Sequence, residues 1–106
     1  MANPNGPGLK MLLTYNIPPE RQETYMRFVL NEFIPTLQSI GLANVGVWHT
    51  AWGDYPLRLL VFVSENASTM TRAVESDVFT QMEEKLKAQV SDYSRRIVPF
   101  DPGFQF

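Results

Sequence analysis

The chain has 106 residues, nine basic against eleven acidic side chains for a net charge of −2, 44% apolar residues and 19% charged ones. That length builds one domain around one modest core, the apolar share excludes a disordered chain, and the balanced charge, with Arg95-Arg96 as the one adjacent pair of cations, leaves no footprint for nucleic acid. Cysteine is absent, which excludes disulfides and cysteine-held metal and fits a cytoplasmic protein, and no apolar run approaches the roughly 20 residues needed to cross a bilayer, so no membrane partner is expected.

Residues 1–8, rich in Pro, Gly and Asn, read as a flexible N-terminal arm without the cationic start and apolar stretch of a signal peptide. The domain is expected over 9–106. Leu9 to Ile17 reads as a strand, ended by Pro18-Pro19. Pro19 suits the first turn of a helix, where its missing N–H would have no partner in any case. Glu20 and Glu23 then sit where the helix dipole favours negative charge. Tyr25, Phe28, Val29, Phe33, Leu37 and Ile40 recur every three or four residues, the stripe of a helix with one buried face. Pro35 predicts a kink in it, and Gly41 the stop.

Residues 45–52 and 57–63 read as two strands joined by Gly53-Asp54-Tyr55-Pro56, a connection short enough for an antiparallel hairpin. Asn66 or Ser68 is the expected cap of a second helix. Its apolar register (Met70, Ala73, Val74, Phe79, Met82, Leu86, Val90) slips at Ser76-Asp77, predicting two helical pieces. Glu83-Glu84 on this helix reads as solvated charge. Asp92 to Phe100 reads as the last strand, and the tail through Phe106, with three phenylalanines, as a segment lying against protein.

The order strand, helix, strand, strand, helix, strand makes two halves whose crossovers place both helices on one side of the sheet. The expected fold class is α+β, a ferredoxin-like βαββαβ unit with a four-stranded antiparallel sheet. Period-two alternation separates Val45, Val47, His49 and Ala51 from Gly46, Trp48, Thr50 and Trp52, and Leu57, Leu59, Val61 and Val63 from Arg58, Leu60, Phe62 and Ser64. The helices can cover one face only. The other is expected to carry tryptophan, leucine and phenylalanine, which calls for a second lid, and a second copy of the chain is the economical one.

The run Phe28 to Leu37 followed by Gly41-Leu42, the strand Val47-Trp48-His49-Thr50, the run Phe79 to Leu86 and the ending Tyr93-Ser94-Arg95-Arg96-Ile97 resemble the dimeric α/β-barrel superfamily. Over about residues 9–100 the pattern is similar in particular to the NIPSNAP-like and antibiotic-biosynthesis-monooxygenase-like small domains. That resemblance implies a homodimer paired sheet to sheet as a dimeric α/β barrel. It also implies, on the monooxygenase-like side, that Asn16 helps bind a substrate oxygen. The haem-degrading relatives use histidine or tryptophan near the second helix. This helix has neither, so haem has no support and no cofactor is expected.

His49 is the sole histidine and is either a base lining a cavity or a structural strand residue. Trp48 and Trp52 are either the wall of a pocket for a flat apolar ligand or dimer packing. Arg58 either receives a carboxylate or enolate oxygen or pairs with Asp54 or Glu65. Tyr15 and Phe62 complete the candidate ligand-binding set, while His49 and Asn16 are the catalytic candidates. One histidine and no cysteine leave no metal site, and the glycines form no nucleotide-binding motif. The function expected is an uncharacterised NIPSNAP-like homodimer binding a small apolar or aromatic molecule in the barrel. The alternatives are a cofactor-independent monooxygenase or isomerase of an aromatic or polyketide-like substrate, and a structural or stress-associated dimer without a ligand.

Overall fold

The computed structural model describes residues 8–50 and 57–100. Its element order is β1 (Gly8–Asn16), a 3-10 turn (Pro19–Arg21), α1 (Gln22–Phe28), a π turn (Val29–Phe33), α2 (Ile34–Ser39), β2 (Ala43–Thr50), β3 (Leu57–Ser64), α3 (Ala67–Glu75), α4 (Asp77–Lys87) and β4 (Ser91–Phe100). The four strands form one sheet in the order β2-β3-β1-β4, and every neighbouring pair is antiparallel. This is the ferredoxin-like βαββαβ arrangement. Strand β2 lies at an edge, so the two strands adjacent in sequence are not both central in the sheet. The connecting turn 53–56, Trp52, residues 1–7 of the expected N-terminal arm and the tail beyond Phe100 lie outside the described residues, while Gly8, expected in the arm, is the first residue of β1.

Both helical layers cover the same face. Met11, Leu13 and Tyr15 of β1 and Leu60 and Phe62 of β3 are buried with Tyr25, Val29, Phe33 and Leu37 on one side and Met70, Phe79, Met82 and Leu86 on the other. The first helical stretch is continuous but not uniform. Its buried residues 25, 29, 33 and 37 are spaced by four, which in an ideal helix drifts by roughly 40° per step. The π turn reverses part of that drift, because its wider coil under-rotates. The Ile34 N–H donates to the Val29 carbonyl across it. The expected kink at Pro35 is thereby expressed as a wide turn just upstream, which relieves the crowding of the proline ring against the preceding turn.

The caps follow local chemistry. Gly41 adopts φ +96° at the end of α2, a left-handed position that glycine takes without a Cβ penalty. The Asn66 Oδ1 accepts from the Thr69 N–H at 2.9 Å and opens α3. The Ser76 Oγ accepts from the Phe79 N–H at 3.1 Å and opens α4, which accounts for the break in register at that point.

The uncovered face differs from its expected composition. Register pairs Trp48 with Leu59 and His49 with Arg58, so Trp48 and Phe62 lie on opposite faces. Phe62 is fully buried under the helices, edge-on to Phe33 with ring centres 5.9 Å apart. A bulge between Asn44 and Gly46 breaks the alternation and puts Val45 beside Trp48. The open face thus carries Leu12, Val45, Trp48, Leu59 and Val61 around a groove of about 320 Å³, bordered by Lys10. Trp48 is 50% exposed there. Its indole lies over Gly46, where a Cβ would approach within 2.5 Å of the ring.

Candidate functional site

At the end of β1 the chain turns into α1 past Ile17, while β3 begins beside it with Leu57 and Arg58. Register sets Tyr15 opposite Arg58 and His49 opposite Arg58. Residues opposite each other on neighbouring strands share a face, so Tyr15, His49 and Arg58 lie side by side on the helix side. Helix α1 then lays Tyr25 against them. The Tyr15 and Tyr25 hydroxyls are hydrogen-bonded at 2.5 Å in the core, their rings edge-to-face with centres 5.7 Å apart. The Arg58 guanidinium lies 5.6 Å from the centre of the Tyr25 ring, a cation over a π face.

Tyr25 and Arg58 of this cluster line a crevice of about 540 Å³, together with Ile17, Gln22, Met26 and Leu30, among others. Met26 and Leu30 present apolar surface to it, 41% and 55% exposed. Glu23 and Arg27 stand on its rim and pair with each other at 2.9 Å. A small pit bounded by Ile17, Gln22, His49 and Arg58 adjoins it. The Arg58 Nε is buried and has no acceptor. Strand geometry excludes Glu65 as its partner, since the seven steps of extended chain from Arg58 to Glu65 span about 23 Å. Asp54 lies outside the described residues.

Burial pushes the Tyr15 phenol far above its usual range, and the neighbouring Tyr25 phenol adds to the effect. Burial also raises Tyr25, while its hydrogen bond with Tyr15 and the charge and hydrogen bonding of Arg58 pull the other way. Either hydroxyl can be the donor of this bond. Both phenols keep their protons and can serve as hydrogen-bond donors, not as bases. Tyr93 stacks on Tyr15 with ring centres 6.3 Å apart, and burial together with Glu83 raises it strongly as well.

Of the other expected site residues, Asn16 ends β1 and donates to the Asp92 carboxylate at 3.0 Å, tying β1 to the start of β4, with its Oδ1 buried and unpartnered. Trp48 lies on the opposite face, Phe62 in the core, and Trp52 outside the described residues. Glu83 is not solvated charge: its carboxylate accepts from the Tyr93 hydroxyl at 2.7 Å and pairs with Arg95 at 3.2 Å. Glu84 is exposed, 3.7 Å from Lys87. Tyr25, Gln22, Met26 and Leu30 were absent from the expected set. The available signal was a tyrosine in a stripe otherwise free of polar groups, since a buried phenol calls for a polar partner. A larger hollow, about 790 Å³, lies at the other end of the sheet beside Leu42, Val63, Ser64 and Phe100. The hydroxyls there are already committed to Asn66.

No family model matches the chain, and no curated protein does. Solved structures do. A conserved protein from Methanosarcina mazei Go1 superposes with a TM-score of 0.67 at 16% identity, over 88% of this chain and 92% of that one. A NIPSNAP family protein from Agrobacterium tumefaciens superposes with a TM-score of 0.61 at 17% identity, over 90% and 97%. The chain shares the fold of that protein. SnoaB, a cofactor-independent oxygenase from Streptomyces nogalater, shares it as well, with a TM-score of 0.65 at 10% identity over 90% and 94%. The NIPSNAP fold and the oxygenase fold are thus one scaffold, and identities this low carry the backbone arrangement alone. Among the described residues no helix is long and apolar enough to cross a membrane.

Proposed function

We propose that this chain is a homodimeric small-molecule-binding protein that holds an aromatic molecule in the crevice between α1 and the β1–β3 end of the sheet. The observation that carries the reading is the crevice itself. It joins an apolar wall of Ile17, Met26 and Leu30 to convergent polar groups on Gln22, Tyr25 and Arg58, in a volume of about 540 Å³, the combination typical of ligand sites. The second copy belongs on the other face. Val45, Trp48 and Leu57 are each 40% exposed or more, and the sheet there has no helical cover. Pairing by that face would close a dimeric α/β barrel while leaving the crevice on the outside of each sheet, so ligand and partner use opposite faces.

The test is a titration of the full chain with 2-naphthamide, a neutral flat probe, followed by calorimetry. Wild type should bind, and Met26→Trp, which fills the crevice, should weaken binding by at least about tenfold, or about 1.4 kcal/mol. No binding by wild type, or full binding by Met26→Trp, would overturn the reading.

An enzymatic version is favoured by one further placement: His49 faces Arg58 directly across β2 and β3. A histidine there could take a proton from an enolisable aromatic while Arg58 receives the enolate oxygen. Reprotonation at another atom would be isomerisation, and reaction of the carbanion with dioxygen would be oxygenation. Aerobic turnover of an anthrone by wild type and its loss in His49→Ala would support this version.

A further inference from the structure

Apart from the crevice, the molecule offers the apolar open face, already assigned to a second copy, and the Glu83–Tyr93–Arg95 cluster, whose groups satisfy one another. Among the described residues Arg58 is the crevice cation with no carboxylate partner: its guanidinium interacts with the Tyr25 phenol, and its Nε has no acceptor. It is half-buried at the start of β3, fixed from behind by the Tyr25 ring at 5.6 Å and from the sides by its strand neighbours Tyr15 and His49. A guanidinium so held exposes an edge rather than a mobile tip. The exposed part is the outer end of the guanidinium, since the Nε behind it is buried and has no acceptor.

The charges around it do not supply one. Among the described residues lining the crevice and its pit, the acid is Glu23, and it is engaged by Arg27 at 2.9 Å. The other ionisable groups there are Tyr25, held protonated by burial, and His49. A buried donor with nothing to donate to is a net cost, on the order of 1–3 kcal/mol, and such a group in a cleft calls for an explanation. The amide group of Gln22 and the apolar side chains of Met26 and Leu30 stand around the same space.

We infer that the crevice selects a small aromatic carboxylate, whose oxygen completes the hydrogen bonding of Arg58 while its ring lies against Met26 and Leu30. Arginine matches a carboxylate with two parallel N–H donors, and a charged hydrogen bond in a partly dry site is about twice as strong as a neutral one. Glu23 and Arg27 cancel at the rim, which leaves the floor positive and steers an anion inward. Tyr15 acts here as a positioning residue. Its hydroxyl holds the Tyr25 ring, and the Tyr25 ring holds the guanidinium.

This inference rests on the crevice reading proposed above and is tested apart from it with two probes of one shape, 2-naphthoate and 2-naphthamide, titrated into the full chain. Wild type should bind the carboxylate about tenfold more tightly than the amide. Arg58→Gln should abolish that preference, and its circular dichroism and Tm report whether it has folded. Amide binding without a carboxylate preference in wild type overturns this inference and leaves the crevice standing, and that comparison needs no variant. A preference that survives in folded Arg58→Gln overturns it too. Binding of neither probe overturns both readings.

Discussion

Phe62→Ala should lower the free energy of unfolding by about 3–5 kcal/mol. The ring is fully buried between β3 and the helices and meets Phe33 edge-on with centres 5.9 Å apart. Its removal forfeits the transfer energy of a phenyl group and leaves a cavity that the sheet and a helix with a fixed π turn cannot close. In a domain of this size the loss corresponds to a fall in Tm of more than about 12 °C. Urea unfolding followed by circular dichroism gives the number directly. A loss below about 1 kcal/mol would mean that Phe62 lies on the open face, where a truncation leaves no cavity.

Stability should also collapse steeply above pH 10. Burial raises the Tyr15 and Tyr25 phenols above the ordinary tyrosine value of 10.0, so in that range the unfolded chain gives up protons that the folded chain keeps. The folded state then binds more protons than the unfolded one, and the free energy of unfolding falls as pH rises. The contribution is fully present below pH 10 and is lost above it. At its steepest the slope is about 2.7 kcal/mol per pH unit for the two buried phenols. Tyr93, raised as well but partly exposed, adds less. Tyrosinate absorbance should therefore appear together with the loss of helical ellipticity, in one cooperative step. Gradual ionisation of most of the four tyrosines around pH 10, before any loss of structure, would contradict the buried pair.

The element order and the caps were legible because they depend on neighbours in sequence. Gly41, Asn66 and Ser76 each satisfy or end a helix through bonds reaching at most a few residues away. The π turn was not legible from the stripe alone, since spacings of four fit an α-helix nearly as well until the drift is summed over the whole run from Tyr25 to Leu37. Faces depended on register. Within β3 the alternation was correct, but whether Phe62 shares a face with Trp48 is decided by which residue of β2 meets Arg58, and a shift of one residue inverts the answer. The bulge at Val45 is a second such event, invisible to a period of two. The site was half legible. Tyr15, His49 and Arg58 are brought together, while Tyr25 was hidden among the apolar residues of its helix because its hydroxyl has meaning only beside Tyr15, ten residues earlier and on another element.

Everything functional in this account depends on the two faces of one sheet doing different work, the helix side binding a ligand and the bare side a second copy of the chain. The most direct measurement is the solution mass of wild type and of Leu59→Asp by light scattering. Leu59 sits in the open-face groove with Trp48 and Val61, and an aspartate there would bury an unpaired charge between the copies, at a cost of several kcal/mol. Wild type should weigh about twice the 12.1 kDa of the chain, and the variant, still folded by circular dichroism, a single 12.1 kDa. A wild type that already weighs one chain, or a variant that stays paired, would contradict it.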